Sequence, residues 1–333
     1  MKTLKVGLIG CGNFAKVMHI PNIKKNPKYE LYAAMDIDES AAREVAQDTG
    51  AKYWTCDFDR VLADKEIDVV FITTRHNLHA QQTIKAANAG KHILCEKPMG
   101  MNAEECKAIT EAVRKNNVKY TVGYNRGMAP LITQARDLLK DLPAKKMIYH
   151  RIQCAIPLDH WMNDPNVGGG RFVGEGCHIF DLLCELVQSP PVSIYASGST
   201  FLDPNIVKIP DSAIVTITFA DGSVGTTLIA SAGCDQFPKE STEIYCEHRA
   251  IQISDFTRMD YYGWGDKPAS IKLDAVDKGQ AIEIDQLADA ILNDTPSPNS
   301  LVKAARAAVI SYKVDESISK GSPMAISETD YNF

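Results

Sequence analysis

The sequence predicts an α/β domain built on a parallel, doubly wound sheet, followed by an α+β domain with a large, mostly antiparallel open sheet. Three observations predict it. Short apolar runs rich in β-branched residues alternate with helical segments through the first 125 residues. A glycine-rich turn follows the first of those runs. Beyond about residue 125 the runs change to apolar–polar alternation with hairpin punctuation. At 333 residues the chain has room for two domains of roughly 150 residues each.

Taken in order, the apolar runs fall at Leu4–Ile9, Leu31–Met35, Val69–Thr73, His92–Cys95 and Tyr120–Gly123. They are apolar throughout rather than alternating, which predicts strands covered on both faces of a parallel sheet. Residues 39–49 predict a helix ending at Gly50, a natural left-handed cap, and residues 78–89 one ending at Gly90. A third helix over 103–116 begins after Asn102, with Glu105 placed to complete a capping box. Past residue 125 a polar, glycine-rich stretch from Asp159 to Gly176 leads into a helix over about 177–187. Alternating segments follow at Ser193–Ser197, Ala213–Phe219, Ser223–Ala230, Glu243–Cys246 and Ala250–Ile253, with Asp221-Gly222 as a hairpin signal. Helices over about 279–292 and 301–315 close the chain.

Composition removes several classes of function. Hydrophobic residues make up 45% and charged residues 23%, as in an ordinary globular protein. No run approaches about 18 consecutive apolar residues, so no transmembrane helix is expected. The first twelve residues have a basic start and an apolar run. That run is too short and glycine-rich for a leader peptide, and no small-residue cleavage site follows. A formal net charge of −6, with no Lys/Arg run longer than two, gives no case for nucleic acid or an anionic membrane as partner. Nine scattered cysteines with no C-x-x-C pair point to thiols in the reducing cytoplasm. No H-E-x-x-H, Cys/His cluster or calcium loop occurs, so no metal is expected.

Gly10-Cys11-Gly12-Asn13-Phe14-Ala15 is a G-x-G-x-x-A sequence that follows an apolar strand and opens a helix-compatible segment. Gly10 permits the tight turn, Gly12 lets the backbone approach a pyrophosphate, and Ala15 allows close helix–strand packing. The helix start, including Asn13 and Phe14, offers N–H groups to phosphates. Met35-Asp36 ends the second strand, 21 residues after Ala15. A carboxylate there, followed by Ile37, accepts hydrogen bonds from both ribose hydroxyls and repels a 2′-phosphate. NAD is therefore expected over NADP. Asp38 could share the role, and Arg43 could serve a 2′-phosphate. The expected division is a dinucleotide-binding Rossmann domain over 1–124 and a substrate-binding and oligomerisation domain over 125–333.

Cys95-Glu96-Lys97-Pro98 ends the fifth strand, where ligands of open α/β sheets bind. Pro98 favours an extended residue before it and permits a cis bond. Four segments resemble the glucose–fructose oxidoreductase / inositol dehydrogenase (Gfo/Idh/MocA) family of NAD(P)-dependent oxidoreductases. They are Thr73-Thr74-Arg75-His76-Asn77-Leu78-His79-Ala80, Ala89-Gly90-Lys91-His92, Glu96-Lys97-Pro98 and Val122-Gly123-Tyr124-Asn125-Arg126. The resemblance continues from Asp159-His160-Trp161 through Gly168-Gly169-Gly170 to His178-Ile179-Phe180-Asp181.

The resemblance implies roles. Lys97 would hydrogen-bond the reacting hydroxyl and touch the cofactor, and His178 would take or give the hydroxyl proton. Histidine titrates near neutrality, and a lysine cation stabilises a developing alkoxide, so the chemistry suits the residues. Thr73, Thr74, Asn77, Glu96 and Asn125 match positions around the nicotinamide and its ribose. His79 falls in the first turn of the following helix. Many relatives carry an aspartate four residues before the histidine, where this chain has Gly174. Glu175 or Asp181 could supply that carboxylate. Relatives often carry a second arginine after Asn125-Arg126, where this chain has Gly127. Trp161 and Arg171, with His160 and Asp159 nearby, would suit a polyol. The implied activity is NAD-dependent oxidation of a secondary CH–OH of a cyclic polyol, sugar or nucleotide sugar, in a homo-oligomer. The alternatives are a dinucleotide-sensing regulator without catalysis, or a relative using NAD for glycoside cleavage.

Overall fold

In the computed structural model, which describes residues 2–143 and 145–333, the chain folds as two units. One is formed by the residues up to Tyr124 together with Gln280–Ala305 and Phe333; the other by Asn125–Gly279 with Arg306–Asn332.

The first unit contains β1 (Leu4–Ile9), α1 (Ile20–Lys25), β2 (Tyr29–Met35), α2 (Glu39–Thr49), β3 (Tyr53–Thr55), α3 (Phe58–Ala63), β4 (Val69–Ile72), α4 (His79–Asn88), β5 (His92–Cys95), α5 (Ala103–Asn116) and β6 (Tyr120–Val122). Its six strands run in the order β3-β2-β1-β4-β5-β6, and every neighbouring pair is parallel. The order turns back at β1 and β4, which makes the sheet doubly wound. β4 is buried at all four positions, as expected of a central strand covered on both faces. The helix ends follow their caps. Gly50 takes φ +73°. Asn102 accepts the Glu105 N–H at 2.9 Å, while the Glu105 carboxylate reaches back to the Met101 N–H at 2.8 Å. β3 and α3 escaped the sequence reading because three to six residues carry too little periodicity to register.

The second unit contains α6 (Pro130–Leu139), β7 (Met147–Gln153), α7 (Cys177–Val187), β8 (Pro191–Ser199), β9 (Ser212–Phe219), β10 (Val224–Ala230), β11 (Glu240–Cys246), β12 (Arg249–Ser254), β13 (Arg258–Tyr262) and β14 (Ala269–Lys272). The chain then passes through α8 (Gln280–Leu292) and α9 (Leu301–Lys320) and makes a last short strand, β15 (Met324–Ala325). The nine-stranded sheet has the order β14-β13-β12-β11-β7-β10-β9-β8-β15. It is antiparallel except where β10 runs beside β7. Alternate residues, among them Ile148, Ile152, Val215, Ile217, Ile229, Ile244 and Ile251, are buried. α7 lies on that face: a Cβ built at Gly225 would stand 3.3 Å from Leu183. α9 joins it through the Ala196 N–H, which donates to the Ser317 hydroxyl at 2.9 Å.

The sequence-based division placed residues 280–305 with the second domain; they group instead with the first unit. Ile284, Leu287 and Ala288 sit in one core with Leu4, Val6, Leu31, Val69 and Phe71. Lys28 bridges Asp285 at 2.9 Å and Asp289 at 2.8 Å, and the Tyr29 hydroxyl donates to the Ile284 carbonyl at 2.8 Å. An amphipathic helix announces in sequence that it packs on something, not on which sheet. Among the described residues no helix is long and apolar enough to cross a membrane.

Candidate active site

β1 delivers Gly10 to the carboxyl edge of the parallel sheet, the side on which such sheets bind ligands. Gly10 has φ +95°, and a Cβ there would stand 2.8 Å from the Thr73 carbonyl oxygen. Thr73 fixes this approach: its N–H donates to the Ile9 carbonyl at 2.7 Å and its hydroxyl to the Gly10 carbonyl at 2.6 Å. A Cβ at Gly12 would meet nothing within 4 Å, so the chain itself leaves that backbone approachable. Asn13 and Phe14 are exposed, and buried Ala15 begins a π-helical turn that runs to His19. Such turns recur at functional sites.

Asp36 lies at the end of β2 beside that turn. Its Oδ2 accepts the Cys11 N–H at 2.7 Å and its Oδ1 the Asp38 N–H at 3.0 Å. Asp38 has a different task. It caps α2 by accepting the Ser40 hydroxyl at 2.7 Å and N–H at 2.9 Å, and these bonds hold its carboxyl below the ordinary range. Arg43 pairs with Glu39 and lies over the Trp54 ring, 5.1 Å from its centroid. Ile37 is 87% exposed.

Glu96 and Lys97 follow β5. Burial alone would raise the Glu96 carboxyl, but the His19 Nε2 contact at 2.8 Å and the Lys97 charge bring it below its usual value. A Cβ at Gly123 would stand 2.9 Å from Glu96 Oε1, so only glycine leaves that carboxylate its seat. Lys97 is half-buried, and its peptide bond to Pro98 is cis. His79 is fully buried, with Nδ1 2.9 Å from the Pro98 carbonyl and Nε2 3.2 Å from the Thr74 carbonyl. Both ring nitrogens thus face main chain, and the residue braces the Lys97–Pro98 turn. Burial pushes its pKa down, towards the neutral ring. The Thr74 hydroxyl donates to Gln82 at 2.6 Å, and Asn77 is exposed.

In the second unit, a π-helical turn over Phe172–Gly176 leads into α7, where His178 is the second residue and is buried. Asp181 and Glu185 follow at three- and seven-residue spacing. Glu175 Oε1 lies 3.3 Å from both Arg126 and Lys239. Arg126 grips Glu240, Nε to Oε2 at 2.8 Å and Nη2 to Oε1 at 3.0 Å. Burial opposes charge on Glu240, yet the guanidinium holds its carboxyl well below the carboxylate range. Asn125 donates to the Lys278 carbonyl at 2.7 Å. Arg171 is buried, with Nη2 3.0 Å from Cys154 Sγ. Trp161 is half-buried and tilted against the His160 ring, 5.5 Å between centroids. Gly168 is held by packing: a Cβ there would stand 2.2 Å from Met162 Cα.

The structure therefore gathers Gly10 to Ala15, Asp36, Thr73 and Glu96 at one sheet edge, and Glu175 with His178 at one helix start. Sequence reasoning missed His19 and Glu240. Each owes its place to a partner, Glu96 or Arg126, more than 75 residues away, and no local pattern announces such a pair.

Known proteins share this sequence pattern and fold. A family model described as an oxidoreductase family with an NAD-binding Rossmann fold, GFO/IDH/MocA, matches residues 4–124. The model of the GFO/IDH/MocA C-terminal domain matches residues 146–252. An uncharacterized oxidoreductase of Bacillus subtilis (strain 168) is 27% identical over 342 residues, 99% of this chain and 98% of its own. An inositol 2-dehydrogenase of Rhizobium meliloti (strain 1021) is 30% identical over 234 residues, 69% of each chain. A levoglucosan dehydrogenase solved with NADH and levoglucosan superposes with a TM-score of 0.89 at 22% identity, over 98% of this chain and 100% of that one, a likeness of fold.

Proposed function

The chain belongs to the GFO/IDH/MocA family of NAD-binding oxidoreductases, and on that premise we propose that it is a dehydrogenase of a secondary CH–OH in a cyclic polyol or sugar. The observation that carries the reading is the Glu96–Lys97–Pro98 turn, braced by His79 and His19, together with a histidine at the start of α7. In this reading the Lys97 ammonium donates a hydrogen bond to the reacting hydroxyl and stabilises the developing alkoxide. His178 takes the hydroxyl proton. Glu175 or Asp181 orients the imidazole, and Trp161 offers an aromatic face to sugar C–H groups. Inositols and levoglucosan are the first substrates to try, because relatives carry those names. A regulator without turnover is disfavoured, since both Lys97 and His178 are in place.

The residues present fit NAD. The Gly10–Ala15 turn leaves its backbone approachable at Gly12, and Asp36 is held by two N–H groups with lone pairs remaining for ribose hydroxyls. When bound, NAD supplies the hydride acceptor. The Asp36 carboxylate repels a 2′-phosphate, and Arg43 is engaged with Glu39 and Trp54, so NAD is preferred to NADP.

The sheet face opposite α7 supports a homo-oligomer. Met147, Tyr195, Ile214, Tyr245 and Tyr262 are all more than two-fifths exposed, and Met147 and Tyr245 are direct cross-strand neighbours. Apolar side chains in such an array favour a second copy of the sheet as cover. All nine cysteines are thiols, which supports a reducing cytoplasm as its compartment.

A panel of inositols, hexoses, anhydro sugars and nucleotide sugars, assayed for NADH or NADPH formation, tests the reading. At least one polyol is oxidised, with kcat/KM at least about tenfold higher for NAD, a discrimination of roughly 1.4 kcal/mol. NADH bound tightly without turnover on any member would return the chain to the regulators.

A further inference from the structure

The turn that carries His178 is tied to a buried group of charged side chains. Glu240, the first residue of β11, is 1% exposed. Arg126 holds both its oxygens, Lys278 donates to Oε1, and His150 Nε2 stands 3.7 Å from Oε2. Asp255 accepts the Glu240 N–H at 2.6 Å and the Lys239 N–H at 3.0 Å. Asp255 and Phe256 both adopt left-handed backbone, φ +43° and +54°, as the tight turn between β12 and β13 requires. Buried ion groups of this kind are commonly replaceable by apolar side chains without loss of stability.

What the group fixes is Glu175. Arg126 Nη2, while bound to Glu240, also reaches Glu175 Oε1 at 3.3 Å. Glu175 belongs to the π-helical turn Phe172–Gly176, three residues before His178. The turn that carries Arg126 also lies along α7. A Cβ at Gly127 would stand 3.1 Å from Glu185 Cγ and 3.8 Å from Asp181 Oδ2. One arginine-bearing turn thus meets the residues before and after His178, and Glu240 anchors it to the sheet.

We propose that Glu240 and Arg126 are positioning residues: the pair clamps Glu175, sets the π-helical turn, and thereby fixes the direction in which His178 leaves the start of α7. The inference rests on His178 as the acid/base of the proposed reaction. Lysine at 126 keeps the charge but cannot span two oxygens of Glu240 and one of Glu175.

Two variants test it, Arg126→Lys and the double variant Arg126→Met/Glu240→Leu, which exchanges the ion pair for apolar side chains. In both, kcat falls at least tenfold while KM for NAD changes less than twofold. Amide hydrogen exchange over residues 172–178 quickens at least tenfold. The melting temperature of the double variant falls, because Lys278 loses its Glu240 partner, while that of Arg126→Lys stays near the parent's. A double variant with parental kcat, or parental protection of 172–178 in both variants, would overturn the proposal. If the parent oxidises no polyol, the functional reading falls, and the exchange measurement still decides the clamp.

Discussion

Gly123 shows how one missing carbon places a charge. Its hydrogen faces Glu96 Oε1, where a Cβ would stand 2.9 Å away, and Glu96 in turn meets His19. Gly123→Ala should displace the carboxylate, lower unfolding free energy by about 1–3 kcal/mol in a denaturant titration, and weaken NAD binding. Stability and NAD affinity equal to the parent's would mean that Glu96 moves aside freely. The glycine turn and the carboxylate beside it were legible, because Gly10, Gly12 and Asp36 do local work. His19 and Glu240 were not, since only folding brings their partners to them. His79 was legible as a residue of the first turn of α4, but its two main-chain partners were not, because folding turns both nitrogens inward.

Elements were legible in proportion to how one-sided their environment is. β8 to β12 alternate because one face is buried, and α7 was bounded to the residue because its apolar run is long. β7 escaped because His150, Arg151 and Gln153 interrupt its alternation. The two π-helical turns, at 15–19 and 172–176, have no periodic signature, yet both contain candidate site residues, Ala15 and Glu175. The loop before the second rests on Gly168, which packs against the Met162 backbone. Gly168→Ala should cost roughly 2–3 kcal/mol, because backbone cannot yield as a side-chain end can. A melting temperature equal to the parent's would show that the loop relaxes instead.

Over the whole molecule, acid should be the weak side. His79 in the first unit and His150 in the second are held below the ordinary value of 6.5, chiefly by burial. Below that value the unfolded chain binds protons that the folded rings refuse. Their stabilisation is complete above pH 6.5 and falls on acidification, with a slope approaching about 1.4 kcal/mol per pH unit for each ring. Glu96 and Glu240, both lowered, extend the loss below 4.5. Denaturant midpoints that stay level from neutrality to about pH 5 would contradict these assignments. At this scale the order of layers was legible, and the return of α8 to the first sheet was not, because its apolar stripe fits any covered surface.

The central claim is that Lys97 and His178 handle the proton of a secondary alcohol. The most direct test is kcat for the best polyol in Lys97→Ala and His178→Ala, with NADH affinity measured alongside. Each variant should lose at least about a hundredfold in kcat while the His178 variant binds NADH as the parent does. Turnover close to the parent's in either variant would contradict the claim.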